Sequence, residues 1–256
     1  MHIVCIHAHP DDAEILAGGT LAILSELGQQ ITIVTMTAGD CGSSTLAPCE
    51  ISAIRMAEAA ASAALIGAAY RCAGFQDLSI FNDDPSRRRV TSLLRDLRPD
   101  IVLTAAPSDY LCDHETTSQL VRDACFTASV PNYSVPELHA PLPAIPHLYF
   151  LDPIAQMDRT GQVVVPDFTI DVASSLEKKR AMLSEHRSQR SWLNAQHGLA
   201  DYLTQMENWT RAAGHRAGIA FGEGFRQYRT HPFPEEPLLQ RILSMYIREN
   251  KEATFT

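Results

Sequence analysis

A chain of 256 residues has room for one sizeable domain, and 45% apolar with 20% charged residues is ordinary for a soluble globular protein. The 21 basic against 30 acidic side chains leave a net charge of −9, which argues against nucleic acid or an anionic membrane surface as the main partner. No apolar run is long enough for a membrane span, no signal-peptide pattern opens the chain, and the six cysteines form no CxxC pair, so free thiols in a cytoplasmic protein are expected.

The elements alternate from the start. "HIVCI" (2–6) is short, β-branched and apolar, and reads as a buried strand. A helix follows over 13–28, with Ile15, Leu16, Thr20, Ile23, Leu24 and Leu27 favouring one side and Gly28 closing it. Gly18 and Gly19 fall inside this helix, where they suit close packing and do not form a phosphate-cradling GxGxxG. "QITIVTMT" (30–37) is a second strand, 50–67 an alanine-rich helix ending at Gly67, and "AYRCAGF" (69–75) a third strand. "PSRRRVTSLLRDLRP" (85–99) is a helix bounded by prolines, "DIVLTAAP" (100–107) a fourth strand, and "ETTSQLVRDACFTA" (115–128) the helix after it.

Such alternation predicts an α/β, Rossmann-like three-layer fold with a mostly parallel sheet, covered on both faces. Residues 1–130 form its core and 131–256 a C-terminal elaboration of the same single domain. There the pattern loosens: a proline-rich stretch precedes a strand at "HLYFL" (147–151), "VVVPDFTIDV" (163–172) reads as another, and helices are expected over 173–193 and, at the end, 236–252.

Two acidic-histidine clusters sit at strand ends. "HAHPDDAE" follows the first strand and brings His9, Asp11 and Asp12; "SDYLCDHETT" follows the fourth and brings Asp109, Asp113 and His114. In parallel α/β sheets the carboxyl ends of strands build the binding sites. His9 and Asp12 are three apart around a turn, so both can face one point, and His114 can close a set of two histidines and one carboxylate. Zinc accepts these ligands, and so does non-haem iron(II). Asp11, left over, is placed to take a proton from a nearby water. The plainer alternatives are that Asp11 or Asp12 caps the helix and that His9 is a hydrogen-bonded core histidine.

"AHPDDAE" resembles the signature of the LmbE-like, or PIG-L, family of zinc-dependent N-deacetylases. The resemblance continues through "LAGGTLAILSELGQQITIVTMTAGDCG", "IRMAEAAASAALIG", "GFQD" and "PSDYLCDHETT", and weakly through "EHRSQ" and "FGEGFR". It implies Zn²⁺ held by His9, Asp12 and His114, Asp11 as general base, and Arg55 and Asp77 as substrate contacts. Arg55 has a second reading, an i,i+3 ion pair with Glu58. One departure concerns the second motif: many members carry His-Pro-Asp-His, where this chain has Leu111-Cys112-Asp113-His114. The histidine that helps stabilise the oxyanion is absent, with His186, His147 and Tyr110 as candidates to replace it and Asp113 as a partner orienting a ligand.

The expected function is therefore zinc-dependent removal of an N-acyl group, N-acetyl first, from an amino sugar or its conjugate, by a protein that forms a homo-oligomer as family members often do. The competing readings are a metal-dependent phosphoesterase or other small-conjugate amidase, and a catalytically silent carbohydrate-binding protein.

Overall fold

The computed structural model describes residues 1–189 and 202–249. Five parallel strands come first in space: β1 (His2–His7), β2 (Gln30–Thr37), β3 (Ala69–Phe75), β4 (Ile101–Thr104) and β5 (His147–Leu151). Three more extend the sheet antiparallel, β6 (Phe168–Asp171), β7 (Gly222–Gln227) and β8 (Ile247–Glu249), giving the order β3-β2-β1-β4-β5-β7-β6-β8. The helices are α1 (Asp12–Glu26), α2 (Pro48–Ala64), α3 (Asp84–Leu97), α4 (Cys112–Ala128), α5 (Leu176–Ser184), α6 (Tyr202–Arg216) and α7 (Leu238–Ile242). Among the described residues no helix is long and apolar enough to cross a membrane.

Strands β1, β2, β4 and β5 are buried at consecutive positions because both sheet faces are covered, while β3, at the edge, is only partly buried. Ile3, Cys5, Ile31, Ile33, Ile101 and Leu103 pack with Ala17, Leu21 and Leu24 of α1, while Val4, Ile6, Val34, Met36 and Val102 pack with Val90 and Leu94 of α3 and Leu120 and Val121 of α4. This is the three-layer α/β arrangement that the alternation predicts.

The expected one-sided burial of α1 is too narrow. Nearly all of its first thirteen residues are buried, because α5 packs along its outer side and β7 reaches it too. Glycine permits that approach: a side chain at Gly19 would stand 2.7 Å from Val172 Cβ. Glu223 of β7 fixes the contact, accepting the N–H groups of Gly19 (2.9 Å) and Thr20 (2.8 Å) and the ammonium of Lys179 (2.6 Å).

Other differences lie in the C-terminal part. The strand expected over 163–172 is confined to β6, with Pro166 ahead of it, and the helix expected over 173–193 is α5 behind a 3₁₀ turn, its last residues falling outside those described. The expected terminal helix is only α7; the chain then turns and β8 pairs with β6, so backbone pairing overrides the amphipathic pattern. Residues 250–252 of that helix lie outside the described residues.

Candidate metal and catalytic centre

The chain reverses its order across the sheet at β1, with β2 on one side and β4 on the other, and the carboxyl ends of β1 and β4 lie side by side. A ligand crevice opens at such a point. The turn after β1 carries His9 and Asp11 into α1, which starts at Asp12; α4 starts at Cys112, so Asp113 and His114 fall in its first turn.

Three imidazoles converge on one oxygen, Asp12 Oδ2. His7 Nδ1 lies at 2.7 Å, His9 Nδ1 at 3.3 Å and His114 Nε2 at 3.4 Å, and the His9 N–H donates to it at 2.8 Å. His7, Asp12 and His114 offer ligand atoms that all lie within 4.8 Å of one another. The far nitrogens meet carboxylates: His9 Nε2 is 3.0 Å from Asp113 Oδ2, and His114 Nδ1 is 3.1 Å from Asp109 Oδ1. Carboxylates in those positions fix ring orientation and leave His9 Nδ1 and His114 Nε2 facing Asp12.

The electrostatics follow from burial and crowding. Burial disfavours a charged imidazole, yet the bonds to Asp113 and Asp12 raise His9 to about 9. His114 rises to about 10 against the same penalty, through Asp12 and Asp109. His7, fully buried, is pushed down by desolvation in spite of Asp12. Burial opposes the charge on Asp12 as well, but His114 and His7 hold its carboxyl well below the usual range. Neither nitrogen of the buried His114 makes a hydrogen bond of good geometry. A centre that draws positive charge onto nitrogens left in this state suits a cation, and one carboxylate with two imidazoles is a donor set that zinc accepts.

Asp11 behaves differently from its neighbour. Its φ of +101° is left-handed, a conformation that costs a residue with a side chain energy. The capping reading predicts a side-chain bond to the start of α1, and there is none. The carboxylate instead receives the Tyr202 hydroxyl at 2.5 Å and lies 3.7 Å from Arg55 Nη2. Burial pushes its carboxyl above the ordinary value, with Arg55 acting the other way. Tyr202, also buried and beside that negative charge, is held as the protonated donor.

Arg55 is 3% exposed and does not pair with Glu58, which accepts from the N–H and hydroxyl of Ser188. Its guanidinium donates to Pro10 O at 2.7 Å and Gly39 O at 3.4 Å. Gly39 must be glycine there: its φ is +76°, and a Cβ would sit 2.2 Å from Arg55 Nη1. Asp77 holds the loop after β2 through the Cys41 N–H (2.9 Å), while its Oδ1 is buried with no hydrogen bond, 4.0 Å from His9 Nε2.

His9, Asp11, Asp12, Arg55 and Asp77 share one cavity of about 680 Å³, to which Tyr110, Leu111, Tyr202 and Trp209 also contribute. His114 stands behind Asp12. Of the three candidates for the missing oxyanion donor, Tyr110 reaches this cavity, its ring 5.5 Å from that of His114. His186 is buried against Glu14 at 3.2 Å, and His147 opens β5 at the opposite end of the strands. Sequence reasoning missed His7, two residues before His9 in an H-x-H pattern that carries a usable signal, and missed Tyr202, which has none.

Residues 4–125 match the PIG-L family, described as GlcNAc-PI de-N-acetylase. The chain is 26% identical over 195 residues to a diacetylchitobiose deacetylase from Thermococcus kodakarensis, covering 73% of this chain and 69% of that protein. Its fold superposes on an inhibitor-bound N,N′-diacetylchitobiose deacetylase from Pyrococcus horikoshii with a TM-score of 0.74 at 26% identity, over 93% of this chain and 88% of that one. A 4-oxalmesaconate hydratase from Pseudomonas putida is 25% identical over 186 residues, 70% of each chain.

Proposed function

With the resemblance to the PIG-L (LmbE-like) family borne out over residues 4–125, we propose that the chain is a zinc-dependent hydrolase. It removes an acyl group, acetyl first, from the nitrogen of an amino sugar or amino-sugar conjugate. The observation that carries this reading is the division between adjacent carboxylates: Asp12 faces three imidazoles, while Asp11 is turned to Tyr202 and Arg55 in the cavity.

His9, Asp12 and His114 would hold the ion, with His7 bonded to Asp12, Asp113 to His9 and Asp109 beside His114. Bound there, zinc supplies a Lewis acid for the amide carbonyl and a lowered pKa for water. Asp11 takes a proton as water adds to the carbonyl carbon. It returns that proton to the nitrogen as the carbon–nitrogen bond breaks, leaving a carboxylic acid and a free amine. A carboxyl raised by burial is the better base, and the Tyr202 hydroxyl and Arg55 keep it aimed. Arg55 and Asp77, on the same cavity, contact the sugar.

The hydratase likeness gives a second reading, addition of water to a carboxylated substrate. Among the described residues lining the cavity, Arg55 is the one arginine or lysine, and it stands among the carboxylates of Asp11, Asp12 and Asp77. That favours a substrate without carboxylates. The test is acetate release by the zinc-loaded chain from N-acetylglucosamine, diacetylchitobiose and N-acetylated sugar conjugates. Release that disappears in Asp11→Ala supports the reading; no release from any member at one zinc per chain ends it.

A further inference from the structure

The carboxylates and His9 form what we call the cavity's floor, and a run of apolar side chains, interrupted by Gln205 one turn before Trp209, forms its wall. Ile15, Leu78, Tyr110, Leu111, Ile154 and Trp209 form it, drawn from α1, the loops after β3, β4 and β5, and α6. Leu78 is 58% exposed and Tyr110 68% exposed, large side chains standing open at a cavity mouth. Leu78 also holds a φ of +59°, a conformation that glycine or asparagine adopts more cheaply. Strain of this kind persists where the surroundings over-determine it, and it clusters at ligand clamps.

The surroundings here are specific. The Leu78 N–H donates to Asp113 Oδ2 at 2.7 Å, the same oxygen that meets His9 Nε2 at 3.0 Å. One carboxylate therefore orients His9 and holds an apolar side chain out over the cavity. Leu111 occupies the N-cap position of α4, where it makes no side-chain cap hydrogen bond and instead adds to the wall. A bare amino sugar offers faces that stack on rings such as Trp209, but it has nothing to cover Ile15, Leu78, Leu111 and Ile154.

We propose that the substrate carries an apolar substituent, an alkyl chain or aryl group, close to the scissile amide and seated against Leu78, Leu111, Ile154 and Trp209. This rests on the amide-hydrolase reading above. The substituent belongs either to the departing acyl group or to the aglycone on the amine side, and the two share one chemistry of recognition.

The experiment uses the zinc-loaded chain and two series: N-acylglucosamines from acetyl to octanoyl, and N-acetylglucosaminides with methyl to octyl aglycones. Burial of each methylene raises kcat/KM about two- to fourfold until the cavity is filled. A rise in the first series assigns the wall to the acyl group, and a rise in the second assigns it to the aglycone. Leu78→Gly, which suits the backbone conformation, and Leu111→Asn each lower the ratio of long-chain to short-chain kcat/KM. Series that are flat or falling in both arms, with N-acetylglucosamine turned over, overturn the proposal and leave amide hydrolysis standing. If neither series is hydrolysed at all, amide hydrolysis fails, and calorimetry of octyl against methyl glucoside decides the wall by itself. Tighter octyl binding supports it; equal affinity overturns it.

Discussion

The floor and the wall of the cavity are built by different rules. Several ionisable groups of the floor are held by another: His7 by Asp12, His9 by Asp113 and Asp11 by Tyr202, while His114 lies between Asp109 and Asp12. The wall is a set of apolar side chains from separate segments, linked to the floor by backbone bonds from Leu78 to Asp113 and from Ile154 to Asp109. A network whose members satisfy one another fails as a unit, whereas non-directional apolar contacts change in increments. The floor suits a reaction, which needs fixed geometry, and the wall suits selection among related substrates.

The contrast within the floor is the sharpest to break. Asp12→Ala and His114→Ala are expected to abolish zinc binding and activity together, read as zinc per chain by elemental analysis. Asp11→Ala keeps its zinc and loses turnover by about 10²–10⁴-fold, the usual worth of a general base. Should Asp11→Ala lose the metal as well, the two carboxylates are not divided as described.

Behind the floor, Glu223→Ala tests how firmly the two halves of the chain are joined. It leaves the Lys179 ammonium and the N–H groups of Gly19 and Thr20 buried without their acceptor, a loss of about 3–5 kcal/mol for breaking a buried pair. Urea unfolding measures it, and a loss below about 1 kcal/mol would mean that water reaches the pair.

Behind the wall, Asp152 is fully buried with no hydrogen bond to either carboxylate oxygen, and desolvation raises its pKa from 3.8 to about 6, with Arg226 and Arg216 opposing. Between those two values the folded chain keeps a proton that the unfolded chain has lost. The contribution of Asp152 to stability therefore falls as pH rises from about 4 to 6, by on the order of 3 kcal/mol, and stays low above that window. In Asp152→Asn that downward contribution is absent, so the variant gains on the wild type as pH rises. Parallel pH dependences of the two unfolding midpoints would contradict this.

The smallest effect belongs to the Asp113 link between floor and wall. Asp113→Asn weakens the hold on both His9 and Leu78, and zinc affinity is expected to fall about 10–100-fold by competition with a chelator. An unchanged affinity would show that His9 needs no partner to keep its orientation.

How much of this could be read from residues alone divides along the same line. The strands β1, β4 and β5 are near-continuous apolar runs, β2 interleaves apolar residues with threonine, and the helices close at Gly28 and Gly67, so local pattern and global fold agree. The charged residues at the ends of β1 and β4 stand out against those runs. β7 does not stand out: "GEGFRQ" has two glycines and no apolar run, and it is a strand because β5 and β6 flank it. Tyr202 reaches Asp11 across 191 positions, and the wall residues Ile154 and Trp209 gain their meaning only from the loops they face. Local sequence carries the chemistry, and distant chain packing carries the shape.

The left-handed backbone at Asp11 sets two selective demands against each other. Glycine or asparagine there would relax the turn into α1, and neither would supply the carboxylate. A search for more thermostable variants would therefore tend to find substitutions at position 11 that fold better and hydrolyse nothing. The aspartate is a residue the fold alone would not have chosen.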